Sequence, residues 1–146
     1  MLKRAKQSTV RRIIDANINR VKEGLRVCEE ITRFILNSRS LTLGLKESRH
    51  QIDAAAKNLG SRSLLLKERL SSSDVGKSIY VNELKRDSLK DIFFANIQRA
   101  KESVRVLEEF SKLINVDSSL RFKKVRYKIY AIEKKAAARI SALRAH

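Results

Sequence analysis

The sequence predicts an all-α fold, a four-helix bundle built from two pseudo-symmetric helical hairpins. The composition is that of long helices: among 146 residues there is no proline, glycine occurs only four times, and Ala, Leu, Lys, Arg and Glu dominate. Apolar residues recur at steps of three and four, the spacing of one helical face. One segment also occurs twice. Ala16-Asn17-Ile18-x-Arg20-x-Lys22-Glu23-x-x-Arg26-Val27-x-Glu29-Glu30 returns as Ala95-Asn96-Ile97-x-Arg99-x-Lys101-Glu102-x-x-Arg105-Val106-x-Glu108-Glu109, ten of fifteen positions matching and seven of the ten polar. This length suits one domain with a real core. Residues 1–146 are therefore expected to form a single helical domain, with repeats at about 8–60 and 86–143 and a connector at about 70–85.

The first helix is expected over roughly 6 to 37, where Ile14, Ile18, Val21, Leu25, Cys28, Ile31 and Ile35 keep the helical period. Asn37-Ser38-Arg39-Ser40 reads as a turn. Leu41, Leu45, Ile52, Ala55, Ala56 and Leu59 mark a second helix ending near Gly60, with a further helical stretch to Leu70. Ser71 to Ser78 carries the strongest turn chemistry and is expected to connect the halves. Ser88-Leu89-Lys90-Asp91 has the form of a helix-start box and opens a third helix to about Leu113. Val116-Asp117-Ser118 reads as the next turn, before a fourth helix to about Leu143. The second helices correspond too, Lys46-x-x-Arg49-x-x-Ile52 aligning with Lys123-x-x-Arg126-x-x-Ile129.

Thirty-three basic against sixteen acidic residues give a formal charge of +17, which attracts polyanions: nucleic acid, a membrane surface or phosphorylated metabolites. From Arg121 to Arg144 nine basic residues face one acid, Glu133, a run that reads as a solvated helix face. The lone Cys28 rules out an intramolecular disulfide, and no apolar run approaches the ~18 residues of a membrane span, so a soluble cytoplasmic protein is expected. His50 and His146 make no zinc motif, and no nucleophile motif or defined nucleic-acid signature is present.

At about 100° per residue, Asn17 falls in the middle of the apolar stripe, and Asn96 takes the same place in the third helix. Buried amides need partners, so the pair implies either a register-fixing contact or a bound ligand. Arg20 and Arg99 lie at the stripe's edge, where guanidinium forks suit phosphate oxygens. Further out, Glu23, Arg26 and Glu30, like Glu102, Arg105 and Glu109, have the spacing of surface ion pairs. Gly76-Lys77-Ser78 completes the last places of a phosphate-loop pattern, but Ser71 stands where its first glycine belongs and no strand precedes it. A P-loop fold is excluded. Such a loop can still cradle phosphate through backbone N–H groups, and Asp74 is a candidate Mg²⁺ ligand.

Asp15-Ala16-Asn17-x-x-Arg20-x-x-Glu23-Gly24-x-Arg26-x-x-Glu29-Glu30, the Arg69-x-x-x-x-Asp74-Val75-Gly76 connector, the repeat around Asn96 and Arg126-Tyr127-x-x-Tyr130 together resemble the small all-helical hydroxymethylpyrimidine phosphate kinase family of thiamine biosynthesis. Members of that family occur alone or fused ahead of thiamine phosphate synthase. The resemblance spans nearly the whole chain and implies transfer of the ATP γ-phosphoryl group to 4-amino-5-hydroxymethyl-2-methylpyrimidine phosphate by a stand-alone kinase. Family members often read Arg-Asp-x-x-x-Asp at the connector, whereas Leu70 follows Arg69 here, which leaves Asp74 alone as a ligand.

On this reading Arg20, Arg26, Arg49, Arg69, Arg99, Arg105 and Arg126 bind phosphate, Asn17 and Asn96 orient substrate, and Gly76 closes the site beside Asp74. Glu23, Glu30, Glu102 and Glu109 hold Mg²⁺ or activate a phosphate oxygen. The expected ligands are the phosphorylated pyrimidine and Mg-ATP, with no membrane partner and a homo-oligomer left open. The competing class is a non-enzymatic basic helical module that binds nucleic acid or a protein partner.

Overall fold

The structure, a computed structural model, describes residues 4–77 and 85–144; the connector from Ser78 to Leu84 and His146 lie outside the described residues. Helix α1 spans Arg4–Phe34, α2 Arg39–Ala56, the short α3 Arg62–Lys67, α4 Leu89–Ser111 and α5 Val116–Arg144. Single 3₁₀ turns occupy Lys57–Leu59 and Ser71–Ser73, and no strand occurs among the described residues.

The first hairpin turns where its capping residues dictate. Asn37 adopts φ 49°, a conformation Asn tolerates better than most residues, and ends α1. Ser38 then caps α2 by accepting from the Leu41 N–H. This stops α1 before residue 37, so Ile35, expected on the buried stripe, is 39% exposed and Leu36 packs inward instead. Gly60, at φ 141°, breaks the chain after the 3₁₀ turn in a conformation that side-chain-bearing residues avoid. Ser61 restarts it as α3 by accepting from the Leu64 N–H at 3.1 Å.

Ser88 caps α4 as the helix-start box predicts, accepting from the Asp91 N–H at 3.2 Å. The expected turn at Val116-Asp117-Ser118 needs correction: these residues are the first turn of α5. Asn115 is the cap, its Oδ1 accepting from the Ser118 N–H at 3.0 Å, and Asp117 favours the positive end of the helix dipole.

Within the hairpins α1 packs on α2 and α4 on α5; across them α1 lies on α4 and α2 on α5, so the four long helices form a ring. The α1–α4 crossing is antiparallel, because the Cys28 thiol meets the Phe93 carbonyl at 3.6 Å while Gly24, further back along α1, meets Asn96 and Ala100 further along α4. Helix backbones approach closely there: a Cβ on Gly24 would stand 2.8 Å from the Asn96 carbonyl oxygen. Gly44 does the same service at the α2–α5 contact, against Ile132. Val21, Leu25, Leu45, Ile52, Phe93, Ile97, Val104, Leu107, Phe122 and Ile129 fill the space between the helices, fully buried. Each such side chain contributes on the order of 1.5–3 kcal/mol through removal from water.

Candidate functional site

A cleft of about 860 Å³ opens between α1, α4 and the connector. Helical spacing places Arg12, Asp15, Asn19 and Glu23 on one face of α1, with Ala16 and Arg20 beside them. Arg99 enters from α4, Arg69 from the end of the α3 segment, and Asp74, Gly76 and Lys77 from the connector. Thus Asn17, Arg20, Glu23, Arg69, Asp74, Gly76 and Arg99, scattered over the sequence, meet in one place. Arg20, Arg99 and Glu23 are exposed to the cleft and form no ion pair among the described residues.

One cleft wall is held by a two-pronged pair. Arg69 donates from Nε to Asp15 Oδ2 at 2.8 Å and from Nη2 to Asp15 Oδ1 at 3.0 Å. Asp15 is buried, and its carboxylate raises the pKa of the Arg69 guanidinium. A neighbouring contact, Ser8 Oγ to Glu68 Oε2, ties α1 to the same segment. Arg69 is therefore positioned before any ligand arrives.

Asp74 organises the turn over residues 72–77 that leads into the connector. Its Oδ1 accepts from the Gly76 N–H at 2.8 Å, its carbonyl accepts from Lys77 N–H at 3.3 Å, and Lys77 Nζ reaches the Ser72 carbonyl at 2.8 Å. The Gly76 N–H, expected as a free phosphate donor, is thus already engaged. Ser78, the last residue of the loop pattern, lies outside the described residues.

Asn17 is buried beside the cleft and donates through Nδ2 to the Ile13 carbonyl at 2.8 Å; Asn96 makes the equivalent bond to Ile92, also at 2.8 Å. Each amide satisfies itself against its own helix four residues back, so the two do not pair with each other. Only Asn17 lines the cleft.

The remaining duplicated polar residues form two matched clamps within the hairpins. Arg49 grips buried Glu29 from Nε at 2.8 Å and Nη2 at 3.2 Å; Arg126 grips buried Glu108 from Nε at 2.8 Å and Nη2 at 3.4 Å. Arg26 adds to Glu29 and Glu30, and Arg105 to Glu108 and Glu109. Burial works to raise the Glu108 pKa, but the Arg126 and Arg105 guanidiniums outweigh it and hold the carboxylate below its ordinary range. Glu108 in turn raises the pKa of Arg126, whose Nη1 also donates to the Tyr130 hydroxyl at 3.2 Å. Glu109 pairs with Lys112 and Arg105 and is held below its ordinary range, the Lys112 hydrogen bond being the main cause. Glu102 accepts from Gln98 at 3.0 Å. Arg26, Glu30 and Arg49 line a shallow recess next to the cleft, sharing Asn19 and Glu23 with it.

Among the described residues no three His, Cys, Asp or Glu side chains converge as a metal site, and no helix is long and apolar enough to cross a membrane. Cys28 is core: burial, with a smaller push from Glu133, raises its thiol pKa to about 12. Part of the basic charge of α5 is spent internally, Arg126 on Glu108, Lys128 on Glu47 and Arg139 on the Leu36 carbonyl.

The sequence did not single out Arg12 or Asn19, and it named Asp15 and Lys77 only within the family motif and the phosphate-loop pattern, without a role. For Asp15 a signal existed: the second repeat carries Phe94 at the matching place, so Asp15 marks the half that bears the cleft.

The ThiD2 family matches residues 12–135. A thiamine-phosphate synthase of Rhodopirellula baltica is 37% identical over 142 residues, which is 97% of this chain and 38% of that protein. A thiamine-phosphate synthase of Nostoc punctiforme is 38% identical over 128 residues, 87% of the chain and 35% of the relative. One of Synechocystis is 34% identical over 139 residues, 90% of the chain and 37% of the relative. The chain thus spans little more than a third of the length of these curated relatives. No solved structure matches it.

Proposed function

The chain belongs to the ThiD2 family, and from that premise we propose that it is a phosphotransferase of thiamine biosynthesis, converting 4-amino-5-hydroxymethyl-2-methylpyrimidine phosphate to its diphosphate with Mg-ATP. One observation carries the reading: Arg12, Arg20, Arg69, Lys77 and Arg99 converge on one cleft, a density of cations suited to two phosphorylated substrates. The names of the curated relatives support a place in the thiamine pathway.

In the transfer, an oxygen of the acceptor phosphate forms a bond to the γ-phosphorus of ATP while the bond from that phosphorus to the β–γ bridging oxygen breaks, and ADP leaves with the electron pair. The acceptor oxygen is already ionised, so no strong general base is required. The protein's work is to hold two anions in line and offset their repulsion. Arg20 and Arg99 are free of ion pairs among the described residues and serve the transferring group; Arg69, fixed by Asp15, serves as a rigid fork. Asn17 keeps Oδ1 for a substrate donor, its Nδ2 being committed to Ile13.

The oxygen donors at the cleft fit a nucleotide-borne Mg²⁺, which needs only one or two protein carboxylates. Asp74 and Glu23 are the residues that would hold it, since Asp15 has both oxygens on Arg69. Bound there, such a cation would supply positive charge against the phosphate oxygens.

A coupled ADP-release assay with Mg-ATP and the phosphorylated pyrimidine, run beside the unphosphorylated alcohol, tests the reading. Turnover with the phosphate alone is the expected result. No turnover with either, in folded protein, would leave a binding module as the better description.

A further inference from the structure

A second cavity of about 560 Å³ lies behind the Asp15–Arg69 pair, bounded by α1, α2, the 3₁₀ turn and α3. It shares Asp15, Asn19 and Arg69 with the cationic cleft, so this pair is a partition with one space on each side. The two spaces differ in chemistry. Ile18, Ala56, Leu65 and Leu66 give the second one apolar walls. Two of its three cations are paired, Arg69 with Asp15 and Lys22 Nζ with Asp53 Oδ1 at 3.0 Å, and exposed Lys57 is the third. Such a cavity gives a phosphate little and a flat ring much.

We propose that this cavity binds the amino-substituted nitrogen heterocycle of a phosphorylated substrate, with the attached phosphate reaching past Arg69 into the cationic cleft. The inference rests on the phosphotransferase reading and adds where the ring goes. Ring faces lie against Ile18, Ala56, Leu65 and Leu66. At the ring edge Asp53 accepts from the exocyclic amino group and Lys22 donates to the adjacent ring nitrogen, so the existing Lys22–Asp53 pair presents a donor and an acceptor side by side. An amino group next to a ring nitrogen occurs both in the aminopyrimidine acceptor and in the adenine of ATP, and the test separates these sources.

The test is calorimetric titration of the intact chain with three probes: 4-amino-5-hydroxymethyl-2-methylpyrimidine without phosphate, adenosine, and inorganic phosphate. Asp53 and Leu66 are both about half exposed, with 52% side-chain and 53% residue exposure, so Asp53→Ala and Leu66→Trp are expected to fold; melting curves check this, with Asp53→Asn as the milder variant. One heterocycle is expected to bind the parent protein and to weaken about tenfold or more in each variant, with phosphate binding within about twofold of the parent. The heterocycle that responds identifies the source. Absence of binding by both at millimolar concentration, or binding that survives both substitutions, overturns the proposal. Turnover with KM values for both substrates unchanged in the variants also overturns it while leaving the kinase reading intact. Heterocycle binding that both variants weaken, without turnover, supports the pocket and removes the kinase step.

Discussion

Asp15 and Arg69 stand 54 positions apart and meet through two hydrogen bonds of 2.8 and 3.0 Å, fastening the segment after α3 to the middle of α1. Arg69→Lys keeps the charge and loses the fork. It is expected to lower kcat by about tenfold or more with little loss of stability, since the Arg69 side chain is 42% exposed. Arg69→Ala and Asp15→Ala, combined in a double-mutant cycle, should show a coupling of about 1–2 kcal/mol in chemical denaturation.

Replacing Arg20 and Arg99 with alanine removes two exposed cations that form no ion pair or hydrogen bond among the described residues. Melting temperature should stay near that of the parent, while kcat/KM falls by about two orders of magnitude. A loss of turnover no larger than that of an exposed control such as Lys134→Ala would count against the cleft as the reaction site.

Glu108 is the buried acceptor of the second clamp, and Glu108→Gln should destabilise the fold by about 3 kcal/mol by leaving Arg126 poorly partnered. The folded-state pKa of Glu108 lies below its unfolded value. Its stabilising contribution is therefore complete above the unfolded carboxylate range near ~4.3 and disappears as pH falls through the lower folded value. Melting curves of parent and variant should converge as the pH is lowered through that window. A gap of constant size would place the stabilisation elsewhere.

At the α1–α4 crossing, Gly24→Ala directs a methyl group to 2.8 Å from the backbone oxygen of Asn96. A backbone atom cannot swing aside, so the helices must separate, at a cost of about 1–3 kcal/mol measurable by denaturant titration. The helix propensity gained, about 1 kcal/mol, opposes this and sets the lower end of the range.

Cys28, with its thiol pKa raised to about 12, is predominantly neutral at pH 8. Iodoacetamide should leave the native protein unlabelled over hours and modify it fully in denaturant, as read by intact mass.

The helical architecture was legible because its signals are local. Ser88 capped where its motif said, and Val21, Leu25 and Cys28 pack as their period requires. Boundaries moved where a single backbone choice intervened: Asn37 at positive φ cut α1 short, and the Asn115 side chain claimed the start of α5. The cleft was legible in part. Arg20 and Arg99 reach it from the repeat, but polar repetition alone did not separate them from Arg49 and Arg126, which the fold turns onto Glu29 and Glu108. That separation depends on which carboxylate faces which helix across a hairpin, a tertiary relationship with no periodic trace. Arg69 was legible as a phosphate ligand, but its pairing with Asp15 across 54 positions leaves no periodic trace either.

Two copies of an unlinked hairpin meeting about a dyad would present the same residue twice at their crossing. Here the crossing carries Gly24 on one side and Ser103 at the matching repeat position, and Asp15 on one side answers to Phe94 on the other. Covalent tethering permits that difference. It makes docking of the halves an intramolecular event, independent of concentration, and releases them from the requirement to be identical. The halves can then contribute unequally to the cleft, the first supplying most of its lining and the second Arg99.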